Sequence, residues 1–170
     1  DISTVTDGLN HVWDYEYDQA FRLTLTTDPV SKKVKYLYNS AGRVESVGAG
    51  VNGTIDPTEY AYDGSTGMMT EVTYYTGQTG YTASYQYDIS GQLTRINDWN
   101  NSNPGIQYLY DDSGRLTCIT TYVDSGTTSK TLSYTYDAAG QVITMNDYFG
   151  NQTTYTYTAK GQLSTLNAPN

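Results

Sequence analysis

Two tyrosines one residue apart, followed by Asp-x-x-Gly-x-Leu, recur along this chain and restrict its fold more than any other feature. The phrase is clearest as Tyr85, Tyr87, Asp88, Gly91, Leu93 and as Tyr108, Tyr110, Asp111, Gly114, Leu116. Tyr134, Tyr136, Asp137, Gly140 and Val142 keep the spacing, as do Tyr155, Tyr157, Gly161 and Leu163 with Thr158 in the aspartate position. Upstream, Tyr36, Tyr38, Gly42 and Val44 enclose Asn39, while Tyr60, Tyr62, Asp63, Gly67 and Met69 carry one extra turn residue. The first copy, Tyr15, Tyr17, Asp18 and Leu23, has Phe21 where the glycine belongs. Successive second tyrosines lie 21 to 26 residues apart. Seven copies make this a repeat protein.

Each position of the phrase has a physical reading. Side chains alternate along a strand, so tyrosines two apart share one face. Asp-x-x-Gly favours a type I turn: the carboxylate accepts backbone N–H groups and glycine takes positive φ. Such a turn followed by a left-handed residue closes a three-residue hairpin with a bulge. The next apolar residue comes three positions later, as in Ile119 after Leu116 and Met145 after Val142. Three breaks strict alternation, so a bulge is expected there. Cys118, two after Leu116, is expected on the leucine's face as a small apolar residue rather than a reactive thiol.

Turn-forming links such as Gly77 to Gly80 and Asp147 to Asn151 join one hairpin to the next. No stretch carries helical periodicity. The expected class is all-β: repeated antiparallel hairpins, about fourteen strands, in a coiled single-layer sheet, since open sheets that wide curl. Residues 1–14 read as an N-terminal lead-in or cap, and 15–170 as seven hairpin repeats in one domain. Tyrosine and threonine together supply 46 of 170 residues, both suited to a pleated, half-buried surface.

Charge narrows the function. Nine basic against 18 acidic residues give −9, so no basic face is available for nucleic acid or anionic lipid. No apolar run approaches the ~20 residues of a membrane span, so no membrane insertion is expected. One cysteine and one histidine exclude a disulfide within the chain and a Cys- or His-rich metal site, and no cofactor is expected.

The Tyr-Asp-x-x-Gly-x-Leu phrase, with Gly114-Arg115-Leu116 and Gly42-Arg43-Val44 as turn exits, resembles the YD-repeat (Rhs) family over roughly residues 15 to 167. That family includes bacterial polymorphic toxins, insecticidal toxin complexes and the animal teneurins. The resemblance implies a spiral strip of hairpins that closes into a hollow shell. Bacterial shells of this kind hold a C-terminal toxin polypeptide, and teneurins present theirs at a cell surface. Seven copies are too few to close a shell, and the 170 residues contain no recognisable self-cleaving segment and no cargo.

Candidate chemistry is sparse. His11, beside Trp13 and Asp14, has no Gly-x-Ser-x-Gly or other nucleophile motif with it and reads as a surface histidine. The repeated aspartates could suggest a glycosidase pair, but a catalytic pair is a unique feature whereas these recur with the turns. Asp98, Asn100 and Ser102 resemble a calcium loop, with Asn103 and Leu109 in place of the required Gly and Glu. Trp13, Tyr74, Tyr75, Tyr81, Trp99, Tyr122 and Tyr148 fall outside the tyrosine pairs. Placed in linkers, they could stack on sugar rings.

The expected role is therefore non-enzymatic: a segment of a larger secreted or surface YD-repeat protein, serving as shell wall or adhesive surface. Its expected partners are neighbouring repeats or copies of itself met through open strand edges. Carbohydrate binding through the unpaired aromatics is the alternative.

Overall fold

The computed structural model describes residues 2–50, 56–97, 105–123 and 128–169. Every element among them is a strand: β1 (Thr4–Thr6), β2 (Val12–Tyr17), β3 (Leu23–Thr27), β4 (Lys33–Tyr38), β5 (Val44–Gly50), β6 (Asp56–Tyr62), β7 (Met69–Thr76) and β8 (Thr79–Tyr87), then β9 (Leu93–Asn97), β10 (Ile106–Tyr110), β11 (Leu116–Val123), β12 (Thr128–Tyr136), β13 (Val142–Asn146), β14 (Gln152–Tyr157) and β15 (Leu163–Asn167). They hydrogen-bond in chain order, each antiparallel to the last. The chain divides inside β8 into two compact units, Asp1–Ala83 and Ser84–Asn170.

In the first unit, Tyr15, Tyr17, Tyr36 and Tyr38 are half-buried while the residues between them are exposed, as period two demands. At each hairpin the register slips by one just before the second tyrosine. Glu16 faces Leu25, but Tyr17 faces Leu23; Ala61 faces Glu71, but Tyr62 faces Met69. β1 pairs with β2 through Val5 and Trp13, so residues 4–6 of the lead-in form a strand of the sheet.

The second unit repeats the pattern. Leu109 faces Cys118, but Tyr110 faces Leu116, leaving Thr117 as the extra bulge residue. The slip explains the spacing of three: Leu116 and Ile119 lie opposite Tyr110 and Tyr108 on the tyrosine face. It also corrects the expectation for Cys118. The bulge turns Cys118 to the other face, beside Leu109, with its sulfur 3.6 Å from the Thr120 hydroxyl.

Neither unit builds a closed core. Among the described residues no large side chain is fully buried, and only Gly48 is buried as a residue. Tyrosine suits such a one-layer sheet, since its ring covers a neighbour while its hydroxyl remains near water or a polar partner.

Candidate functional site

The hairpin turn is the unit from which everything else is built. Asp88 Oδ1 accepts the N–H groups of Ser90 at 2.8 Å and Gln92 at 2.9 Å, and the Gly91 N–H donates to the Asp88 carbonyl at 3.0 Å. Asp18, Asp111 and Asp137 do the same in their own turns. Asn39 substitutes fully, because its amide oxygen still accepts from Ala41 and Arg43 at 3.0 Å. Thr158 substitutes less well, with both contacts stretched to 3.3 Å. Gly91, Gly114 and Gly140 hold φ of 84°, 77° and 83°; Phe21 is held at 60° in the same slot.

At Asp18, Asp63 and Asp111 the turn holds the carboxylate's pKa below its ordinary value. The N–H of Arg22 lowers the Asp18 pKa, and the guanidinium of Arg115 does so for Asp111. Asp63, in the longer turn, is lowered furthest, first by the Ser65 hydroxyl and then by the Thr66 N–H.

Hairpins are tied to their predecessors by the second tyrosine. Tyr38 Oη donates to the Leu23 carbonyl and Tyr62 Oη to the Val44 carbonyl, both at 2.8 Å. Tyr110 and Tyr157 donate to Leu93 and Val142 at 2.8 Å, and Tyr136 donates to Leu116 at 2.5 Å. Tyr17 reaches Ile2 at 3.2 Å, so residue 2 occupies the position that the first return-strand residue holds elsewhere. The residue after the turn glycine reaches forward. Gln92 donates to the Gly114 carbonyl at 2.8 Å, Arg115 to Asp137 at 3.0 Å and Gln141 to Gly161 at 2.9 Å.

Arginine in that position does more. Arg22, Arg43 and Arg115 lie 4.5, 4.9 and 4.8 Å over the rings of Tyr38, Tyr62 and Tyr136. Arg22 pairs with Asp18 and Arg115 with Asp111, each at 2.7 Å. Arg43 faces Asn39 instead, and its Nε is buried without a hydrogen-bond partner.

A second set of capped turns lies at the opposite strand ends. Asp7, Asp28 and Asp147 each accept two N–H groups, from Leu9 and His11, Val30 and Lys32, and Phe149 and Asn151. The left-handed residue is Asn10, Ser31 or Gly150. The Asp7 and Asp28 turns escape a search for Asp-x-x-Gly because Asn and Ser replace the glycine. His11 donates or accepts through Nδ1 at 2.8 Å from Asp7 Oδ2, as part of this turn.

The unpaired aromatics are not gathered into one site. Trp13, Tyr74, Tyr75, Tyr81 and Tyr122 lie within β2, β7, β8 and β11 rather than in linkers, because those strands run longer than the repeat phrase. Tyr74 shares the tyrosine face with Tyr60, whereas Tyr75 projects the other way and donates to Glu59 Oε2 at 3.1 Å. That bond raises the Tyr75 pKa. Tyr122 donates to Gln107 Oε1 at 2.9 Å. Tyr148 stands in a turn, stacked 3.9 Å from Phe149 and capped by the Lys130 ammonium 4.7 Å away. Trp99 and the Asp98, Asn100, Ser102 group lie outside the described residues. An open hollow of about 490 Å³ in the first unit is walled by Leu37, Ser46, Glu59, Ala61, Glu71 and Thr73. Among the described residues, no three potential ligands are grouped to hold a metal.

Residues 2–127 match the family model described as Teneurin YD-shell, and residues 136–170 match the one described as RHS Repeat. None of the curated proteins is similar enough to count as a match. Among solved structures, the crystal structure of TcdB2-TccC3-Cdc42 aligns over 97% of this chain at 17% identity, with a TM-score of 0.52. The crystal structures of TcdB2-TccC3 and of TcdB2-TccC3 without hypervariable C-terminal region align at 19% and 18% identity, both with TM-scores of 0.50 and over 94% and 92% of the chain. In all three the chain spans about a tenth of the larger polypeptide.

Proposed function

The chain belongs to the YD-repeat (Rhs) family, and from that premise we propose that it is a non-enzymatic stretch of wall in a larger secreted or surface-displayed shell. The observation that carries this reading is how the repeats are joined. Tyr38, Tyr62, Tyr110, Tyr136 and Tyr157 bind backbone carbonyls of the hairpin before, and Gln92, Arg115 and Gln141 bind turn carbonyls of the hairpin after. Backbone acceptors exist in every repeat whatever its side chains, so the strip tolerates sequence drift and extends by adding copies. The absence of a fully buried large side chain among the described residues fits a strip that gains cover from further repeats. The turn aspartates serve their own turns, which supports a structural rather than catalytic use.

Accessibility in the full-length parent protein tests the reading. In a Cys118→Ser background, Thr135→Cys reports the polar face and Lys130→Cys the tyrosine face. A wall gives one face that reacts with small maleimides but not with a bulky polyethylene-glycol maleimide, and one that reacts with both. Equal reaction of both faces with the bulky reagent would overturn it.

A further inference from the structure

The face turned away from the tyrosines carries a feature the wall does not use. In the second unit Arg95 lies directly between Gln86 on β8 and Gln107 on β10. Arg22, Arg43 and Arg115 stack on tyrosine rings, but Arg95 does not, and among the described residues no ion pair or hydrogen bond engages its side chain. Its Nε is buried without a partner. The chain has net charge −9 and twice as many acids as bases, yet among the described residues no carboxylate pairs with this guanidinium.

Its neighbours are neutral and already oriented. Tyr122 donates to Gln107 Oε1, so the acceptor end of the Gln107 amide is engaged and its nitrogen is the donor end. Asn97 donates through Nδ2 to Ser84 Oγ and keeps its amide oxygen as an acceptor. Thr120, opposite Gln107, adds a hydroxyl. Opposite residues on adjacent strands lie about 5 Å apart, so Arg95, Gln107 and Thr120 on three successive strands span about 10 Å, roughly two sugar rings.

We infer that this Arg95-centred patch binds a carboxylate-bearing sugar, such as a uronic acid within an acidic glycan. A planar guanidinium matches a carboxylate through two parallel N–H donors. One cation balances one negative charge, whereas phosphate sites gather several basic groups. The surrounding amides and hydroxyls are donors and acceptors of the kind that sugar hydroxyls need. The inference stands apart from the wall reading, because it uses the face that packing of the tyrosines leaves open.

Titration with a galacturonic acid tetrasaccharide, followed by amide chemical shifts, is the test, with a neutral galactose tetrasaccharide as comparison. The acidic sugar should shift resonances of Arg95, Gln107 and Thr120 with a Kd of about 1 mM, typical of a small polar contact. Arg95→Gln should weaken it about tenfold, as loss of one charge-assisted contact predicts. Lys160→Gln, away from the patch, should leave it unchanged. Gln107→Ala, which keeps the guanidinium, should weaken it less than Arg95→Gln and serves if that variant folds poorly. Equal binding of the neutral sugar, an unchanged affinity in both patch variants, or displacement by phosphate at matched ionic strength would overturn the assignment.

Discussion

Tyr110 Oη donates to the Leu93 carbonyl at 2.8 Å, joining two hairpins through a side chain on one and the backbone of the other. Tyr108, its partner in the pair, lies opposite Ile119 on the same face but has no hydrogen bond from its hydroxyl among the described residues. The two tyrosines of a pair therefore do different work: both cover the face, and only the second ties hairpins together.

Tyr110→Phe should thus lower stability by about 1 kcal/mol, the usual net worth of such a bond, and Tyr108→Phe by much less. Urea midpoints of the two variants check this, and equal midpoints would remove the tie.

Phe21 occupies the left-handed position that glycine holds in the other hairpins, with φ of 60°, and its side chain is 75% exposed. Little burial is lost on truncation, while backbone strain of roughly 1 kcal/mol is relieved. Phe21→Gly should raise the melting temperature. Gly140→Val, at φ of 83°, should lower stability by at least ~1 kcal/mol.

Asn39 is the position where one changed atom leaves a charge unpaired. Asp18 and Asp111 offer Arg22 and Arg115 a second carboxylate oxygen at 2.7 Å; Asn39 offers Arg43 an amide nitrogen, which cannot accept. Asn39→Asp should stabilise the fold by up to about 1 kcal/mol, the range for partly exposed pairs. The gain should shrink at high salt, measured as midpoint shifts in low and high sodium chloride.

Acid should loosen the turns. Asp7, Asp18, Asp63, Asp111 and Asp147 all have pKa values held below the usual carboxylate range. Their folded values lie below their unfolded ones, so their contribution is complete above about pH 4 and fades as pH falls through the folded values. Stability should be level from neutral pH down to about pH 5 and drop below about pH 4. Asp63→Asn keeps the oxygen that accepts from Ser65 and Thr66 but cannot titrate, so its acid drop should be shallower. An identical pH profile would exclude Asp63 from the effect.

Much of this was legible from local chemistry. Strand faces follow from spacing two, and Asp-x-x-Gly forecasts both the turn and the positive φ found at Gly91, Gly114 and Gly140. The spacing of three forecasts the bulge, yet the bulge misplaced Cys118, because counting by two continues through a residue that the partner strand skips. The turns at Asp7 and Asp28 carried a readable signal, an aspartate three residues before Asn10 or Ser31, obscured by the search for glycine.

By itself the sequence determined the hairpins, since a turn and the strand alternation around it depend on residues within reach of one another. The tertiary structure alone decided which groups meet across repeats: Tyr110 with the carbonyl of Leu93, Gln92 with that of Gly114, and Arg95 with Gln107 on the next hairpin. The partner in the first two is backbone, identical at every residue, so no side-chain pattern marks it. Arg95 reads like any other basic residue until strand register sets neutral amides on both its sides, and register is a property of paired strands.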